Sequence, residues 1–427
     1  MALDITYTIK IGQLGSEVDF TSRCAGFSIK QNAPISNLEI GRAQITLLNY
    51  DGALTPNAGG TYSSTDWFEQ AVFISATIDG TNTLTAELFH GTIASFNVAD
   101  NGNSSTVEII CTDSLRFLGS TTDSFDFSLL TFIDDGFTNT IAAAASLAGI
   151  EPPKLGKTTA TYGSEYAAVD NANKVDSSNM TAGTIADALR NQLLPSYPSA
   201  YWATTIQEGS PSTNCSYTQM VAGASLTRPT SSATWYLERS DLEFTESAST
   251  AGQIGFKFLD IGFNNDQIVN EVVQKTSATG NTSTASDSTS VGKYGNRAWT
   301  TSSAINKTDA AAQDAANNFL NRQLSSRYVP FRLTTNTSLL NAAHADTDYA
   351  VRSLLDIRSA LWNFGTVTYT PTGSASTETE GVVVTGRSMT ATPSDTTIVL
   401  ELLPAVDYQS FVLDSDVLGV LDQNRLG

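Results

Sequence analysis

The chain has 427 residues, too many for a single hydrophobic core, so two to four domains are expected. Charged residues make up only 15% of it, and the formal net charge is −20 with only 23 Lys and Arg. Acidic residues exceed basic ones in every third of the chain, which excludes a basic stripe able to hold nucleic-acid phosphates tightly.

Residues 1–120 are predicted to form a β domain. Apolar and polar residues alternate at Leu3–Ile9, at Val72–Ile78 and at Val107–Cys111, which is typical of strands with one buried face. Asp79-Gly80 and Asn101-Gly102 are the residue pairs that tight hairpins favour. This first domain should therefore be an antiparallel sandwich or barrel.

Residues 121–253 are predicted to form a mixed α/β insert domain. Apolar residues recur at helical spacing in 138–147 and in 184–194, and Pro195 ends the second helix. The segments WYLER and LEFTE, separated by Ser240-Asp241, predict a small hairpin at the end of this domain.

Residues 254–427 return to β structure with one embedded helix. QIVNEVVQK, VPFRLTTNTSLL, GVVVTGRSMTAT and TTIVLELLPA are predicted strands, and 309–324 is a predicted helix. Residues 276–290 are polar and low in complexity, and they predict a long loop. A β domain, an insert and a second β domain imply a duplicated β module, although no repeat can be aligned in the sequence.

No catalytic set can be assembled from the sequence, so no catalytic, cofactor-binding or metal-binding residues are assigned. The two histidines, His90 and His344, stand alone, and an isolated histidine is most often an ordinary polar residue. Asp346 and Asp348 are interpreted as part of a solvated loop. The other acidic pairs, Asp134-Asp135 and Asp414-Asp416, are interpreted as a helix cap and as turn residues.

The three cysteines, Cys24, Cys111 and Cys215, are widely spaced and indicate buried reduced thiols instead of a disulfide scaffold or a zinc site. The N-terminus has no signal-peptide pattern, and no apolar run reaches the ~18 residues of a membrane span.

Several stretches, in order, resemble hub-type tail-tip proteins of long-tailed bacteriophages. AQITLLNYDGALTP (43–56) resembles the strand and turn of that family's first β module, and NDQIVNEVVQK resembles the opening of its second. The helix ending in FLNRQLSSRYVP, the hairpin VVVTGRSMTATPSDTTIVLELLPA and the ending FVLDSDVLGVLDQNRLG are similar to later parts. The resemblance covers about four-fifths of the chain and is weakest over 150–235.

The resemblance implies a mainly β fold with some α, built from two tail-tube-like antiparallel β modules and a mixed α/β insert. It implies a non-enzymatic subunit of the virion, assembled in the host cytoplasm, that forms a trimeric ring at the end of the tail tube. The implied partners are the distal tail or tube protein, the tape measure and fibres, and DNA would pass through without specific binding. A host-binding adhesin and a tail-associated hydrolase remain as alternative functions.

Overall fold

A computed structural model describes residues 3–113 and 242–404 with short gaps, together with residues 116, 203–204 and 216–217. The gaps lie at 13–15, 34–38, 58, 69, 101–104, 249, 263–268, 276–279, 301–308, 311, 314–315, 318–319, 321–328, 358 and 362. The predicted helices at 138–147 and 184–194, the segment WYLER and the acidic pairs 134–135 and 414–416 lie outside the described residues.

The described elements are mainly β-strands, as predicted. The strands are β1 Asp4–Ile11, β2 Val18–Asp19, β3 Cys24–Asn32, β4 Arg42–Leu48, β5 Ala71–Asp79, β6 Thr83–Asp100, β7 Ser105–Thr112, β8 Ala203–Thr204, β9 Ser216–Tyr217, β10 Leu242–Thr245, β11 Gln253–Gly255, β12 Phe258–Gly262, β13 Glu271–Lys275, β14 Thr282–Ser286, β15 Ala298–Thr300, β16 Val329–Asn336, β17 Phe364–Tyr369, β18 Glu378–Ala391 and β19 Thr396–Pro404. The helices with defined bounds are α1 Ser288–Tyr294, α2 Thr337–Ala342 and α3 Asp348–Leu355, with 3-10 turns at Thr21–Arg23 and Ala345–Thr347.

The first module consists of β1–β7, and its main strands lie in the order β3-β4-β7-β6-β5-β1. The predicted alternation is confirmed in β5, where Val72, Ile74, Ala76 and Ile78 are all buried. Because successive strand side chains point to opposite faces, these four residues line the core while their neighbours face outward.

Both predicted hairpins are present in this module. β5 and β6 pair from Asp79 opposite Thr83, and Gly80 lies in the turn. A Cβ atom on Gly80 would approach the Ala345 carbonyl oxygen to 2.5 Å, so the turn needs a residue without a side chain. β6 and β7 pair from Asp100 opposite Ser105, and the turn residues between them lie outside the described part.

The second module consists of β10–β12 and β16–β19, and its strands lie in the order β12-β16-β19-β18-β17-β10. The prediction that LEFTE forms half of a hairpin in the insert is wrong, because β10 pairs in parallel with β11 and with β17 of the second module. Its Leu242 and Phe244 are buried, and this apolar face explains why the strand joins the main sheet.

One hydrophobic core runs through both modules. It contains Ile45 and Phe89 of the first module and Leu354 and Val384 of the second. Helix α3 follows β16 in the chain but packs on β5 and β6. Its Val351, Leu354 and Leu355 are fully buried, which stabilises the fold by on the order of 5 kcal/mol. The modules are thus joined through their cores.

The polar loop predicted at 276–290 is wrong for its described part. Strand β14 pairs with β13, and Ser283 and Ala285 are buried in alternation with exposed neighbours. Asp287 then caps α1 by accepting hydrogen bonds from the amides of Thr289 (2.8 Å) and Ser290 (3.1 Å). Buried and exposed positions alternate in β14 although its residues are small and mostly polar. The polar composition of the segment therefore gave no sign of a strand.

The prediction of a single helix in the C-terminal segment is too low. The described positions between 309 and 320 are helical, as expected, and Ala316 and Leu320 pack with Val272 of β13 in a small separate core. Helices α1, α2 and α3 are additional. They are short, and helices of this length depend on capping and tertiary packing more than on sequence propensity. No helix in the described ranges is long and apolar enough to cross a membrane.

Candidate functional site: the junction between the β modules

The two histidines have structural roles. His90 is buried and stacks on Phe73 with ring centroids 4.5 Å apart. Burial lowers its pKa to about 4, so the ring is neutral at pH 7. His344 is exposed, and its Nδ1 accepts a hydrogen bond from the Asp346 amide (3.3 Å) at the start of a 3-10 turn. Within the described part of the chain, no three His, Cys, Asp or Glu residues lie close enough together to hold a metal ion.

The interpretation of HADTD as a solvated loop is wrong for Asp348, which is fully buried at the start of α3. Its Oδ2 accepts hydrogen bonds from the backbone amide of Asn82 (2.7 Å) and from the Asn82 side chain (3.1 Å). Asp346 accepts a hydrogen bond from the Thr81 hydroxyl. Both carboxylates therefore bind the β5–β6 turn of the first module.

Asp356 repeats this arrangement at the other end of α3. Its Oδ2 accepts a hydrogen bond from the backbone amide of Glu87 on β6 (3.0 Å). The next residue, Ile357, donates its amide to the Glu87 carbonyl (2.6 Å). Helix α3 is thus fixed at both ends to one hairpin, and buried polar groups of this kind are well satisfied only in one arrangement.

Arg387 of β18 lies at the centre of the junction and is completely buried. Its Nη1 donates to the carbonyls of Leu354 (3.3 Å) and Leu355, at the C-terminal end of α3. Its Nη2 donates to the Leu88 carbonyl on β6 (2.9 Å) and to the Gln31 side chain on β3. One guanidinium therefore binds two strands of the first module and the last turn of a helix from the second.

The charge of Arg387 is stabilised by the carbonyl and amide oxygens that it contacts and by the nearby Asp356 carboxylate. Burial lowers its pKa to about 10, and the negative charge of Asp356 opposes that shift. The guanidinium remains protonated at neutral pH, because its pKa is still well above 7. The carbonyls it binds include two that the end of a helix leaves without an intrahelical partner, so Arg387 acts as a C-terminal cap.

Strand pairing completes the junction. Residues 386–391 of β18 pair with 27–32 of β3 in antiparallel register, which joins the two modules in one continuous sheet. At Gly386 a Cβ atom would approach the Asn32 Oδ1 to 2.6 Å, so a larger residue there would require the Asn32 side chain to move. Strand pairing, α3 and the buried guanidinium together join the two modules.

The NYDG turn of the first module is organised by Asn49, which is buried. Its Oδ1 accepts from the Leu54 amide, and its Nδ2 donates to the hydroxyls of Thr55 and Ser105, all at 2.9 Å. Asp51 forms a bidentate pair with Arg23, with the shorter N–O distance at 2.6 Å. That guanidinium holds the pKa of the Asp51 carboxyl well below its usual range. The turn is therefore a fixed structural feature.

Cys24 and Cys111 are free thiols in the structure. They lie opposite Leu47 and Ala43 of β4, four positions apart, or about 13 Å along the strand. A disulfide needs Cα atoms within roughly 7 Å. Burial raises the pKa of both thiols, which keeps them protonated and unreactive. Cys215 lies outside the described residues.

The sequence did not identify Arg387, Gln31 or Asp356 as important residues. The only signal was an arginine at a position that continues the apolar run VVVTGRSM. A charged residue in an apolar run either reaches solvent at the edge of the sheet or is buried with hydrogen-bonding partners. The sequence does not distinguish these two cases.

Solved structures of phage tail proteins share this fold. The tail protein from Neisseria meningitidis MC58 has 13% sequence identity and a TM-score of 0.52, and the match covers 92% of this chain and 96% of that one. The 43 kDa tail protein of prophage MuSo2 from Shewanella oneidensis has 11% identity and a TM-score of 0.51, with 94% and 99% covered. No family model matches the sequence, and no curated protein matches it.

Proposed function

We propose that this chain, which has the fold of phage tail proteins, is a structural subunit of the tail-tip hub. Three copies form a ring of six β modules at the end of the tail tube. The ring connects the tube to the host-binding parts and provides a conduit for DNA during ejection. The chain acts in this reading as a scaffold and not as an enzyme.

The observation that carries this proposal is the fusion of two modules with the same strand order in one chain. The series β3-β4-β7-β6-β5-β1 and β12-β16-β19-β18-β17-β10 follow the chain in the same order, and β3 of one pairs with β18 of the other. If each chain contributes a fixed pair of similar modules, three chains give a ring of six modules. Closed rings also cover the strand edges that a lone module would expose.

The charge of the chain supports the conduit. Three copies carry three times the net charge of −20, and a ring built from them has few cations with which to line its channel. A basic wall would hold passing DNA by releasing its counterions, whereas an acidic or neutral wall lets the phosphates slide. The purified ring should show no tight DNA binding at about 150 mM salt.

The remaining parts of the proposal concern assembly. The chain would belong to the virion tail tip, be put together in the host cytoplasm, and contact the distal tail or tube protein, the tape measure and fibres. Residues 121–253 would form a separate mixed α/β domain between the modules. Residues 282–294 form β14 and α1, so contacts of this segment with other subunits would come from a folded surface.

Native mass spectrometry tests the proposal, on the protein alone and with its tube protein. The expected species has three times the 45.3 kDa mass of the chain. A protein that remains a single chain in both samples would contradict the ring. Tight DNA binding by an assembled ring would instead contradict the conduit alone.

A further inference from the structure

The two modules correspond strand by strand. β1, β3, β4, β5, β6 and β7 of the first occupy the same places in the sheet as β10, β12, β16, β17, β18 and β19 of the second. The direction differs only at the end of the series, where β1 is antiparallel to β5 but β10 is parallel to β17. The connections differ more than the strands do, since residues 33–41 link β3 to β4 whereas residues 263–328 link β12 to β16. The equivalence therefore lies in the sheet.

Details of hydrogen bonding fix the correspondence residue by residue. β6 has a bulge between Ile93 and Ser95 against β7, and β18 has one between Val384 and Gly386 against β19. Just before each bulge the amide donates to the residue that precedes the neighbouring strand. Ile93 bonds the Gln70 carbonyl and Val384 the Asn363 carbonyl, both at 3.0 Å. Ser95 is thus the counterpart of Gly386.

The contact between the modules is made by β18 and β3. Their counterparts, β6 and β12, each have an edge that pairs with no described strand. β18 beyond its bulge pairs with β3. Among the described residues, β6 beyond Thr92 pairs with β7 alone, and β12 pairs with β16 alone. Positions 97 and 99 of β6 are exposed.

The open strand β12 carries exposed apolar side chains. Phe258 is 60% exposed and Ile261 is 38% exposed, and Phe331 on the adjoining β16 is 44% exposed. An exposed apolar edge strand is a liability unless another strand covers it.

We propose that β12 of one copy adds to β6 of the next in antiparallel register, as β3 adds to β18 within the chain. This rests on the proposed ring and names the strands that close it. Ser28 lies opposite Thr390 in the chain. The counterpart of Ser28 is Asp260, because Ser28 faces Gln44 and Asp260 faces Arg332 at equivalent places in the sheet. The counterpart of Thr390 is Ala99, so Asp260 should lie opposite Ala99.

Repetition of one contact explains how the ring closes. Each chain offers one β12 edge and one β6 edge, so copies join head to tail and every module meets its neighbour in the same way. The loop between β4 and β5 fits this arrangement. Its counterpart between β16 and β17 carries α3, which packs on the β5–β6 hairpin. The β4–β5 loop carries Tyr50, 75% exposed, and Phe68, 69% exposed, and these would pack on the β17–β18 hairpin of the copy that supplies β12.

Paired cysteines test the register. In the doubly substituted chain A99C/D260C, mild oxidation should link copies into covalent dimers and trimers and no larger species, because a ring of three closes on itself. A mixture of A99C chains with D260C chains should stop at covalent dimers. Either single variant alone should show no more linkage than the unsubstituted protein, whose described thiols are buried or half-buried.

Two matched pairs calibrate the result. S28C/T390C joins the counterpart positions within a chain and should give a link that leaves the mass of one chain. N97C/D260C moves one partner by two residues on the same face of β6, to a diagonal distance of roughly 7–8 Å, and should link several-fold less. Rings in which A99C/D260C links no better than N97C/D260C would overturn the strand addition and leave the ring standing. Single chains without any link would overturn both.

Discussion

Substitution of Arg387 by Met tests whether the buried guanidinium holds the modules together. Met preserves much of the stem and removes all donors, so the carbonyls of Leu88, Leu354 and Leu355 and the side chain of Gln31 lose their partner. Loss of one side of a buried charged network costs about 3–5 kcal/mol. Because the unfolding entropy is about 2.1 cal/mol/K per residue, each kcal/mol lowers the Tm of a 427-residue chain by about 1 °C, so Tm should fall by roughly 3–6 °C.

Differential scanning calorimetry measures this directly, and Arg332→Met is the matched control. Arg332 also lies in a strand of the second module, but its side chain is 52% exposed and its ion pair with Asp260 is 3.7 Å long. An exposed pair contributes about 0–1 kcal/mol, so the control should keep its Tm within about 1 °C. Equal Tm values for the two variants would refute the role assigned to Arg387.

Three further predictions concern single residues. His90 has a folded pKa of about 4, below its ordinary 6.5, so its neutral form stabilises the fold fully above pH 6.5 and that contribution is lost as pH falls towards 4. Between pH 7 and pH 4 the free energy of unfolding, measured with urea, should therefore fall by about 3 kcal/mol less in the His90→Phe variant than in the parent. Asn49→Ala removes three hydrogen bonds and should cost about 2–4 kcal/mol, read from the urea midpoint; a loss below 1 kcal/mol would contradict the fixed turn. Alkylation of the unfolded protein without reductant should modify all three cysteines, and a mass two units low would reveal an unexpected disulfide.

The strands of both modules could be predicted because their buried faces are written as period-two alternation. β5 and β19 follow this pattern closely, and the Asp79-Gly80 turn adds a local signal. The duplication could be inferred only from the order of domains. The similarity of the two modules lies in their backbone hydrogen bonds and bulges. Strand pairing constrains which positions are apolar but does not determine which amino acid stands there.

The junction could not be predicted because it depends on residues far apart in the chain. Arg387 and Gln31 are separated by 356 positions, and Asp348 and Asn82 by 266. A charged or polar residue has the same local signature whether it meets solvent or a buried partner. The strand β14 was missed for a different reason, since its buried positions are Ser283 and Ala285 and neither is a strong core residue.

Class averages of the purified protein, alone or bound to its tube protein, test the central claim most directly. The ring proposal predicts a closed particle with threefold symmetry, six similar lobes and a central hole. Elongated rods or isolated two-lobed particles at every concentration and in the presence of the tube protein would contradict it.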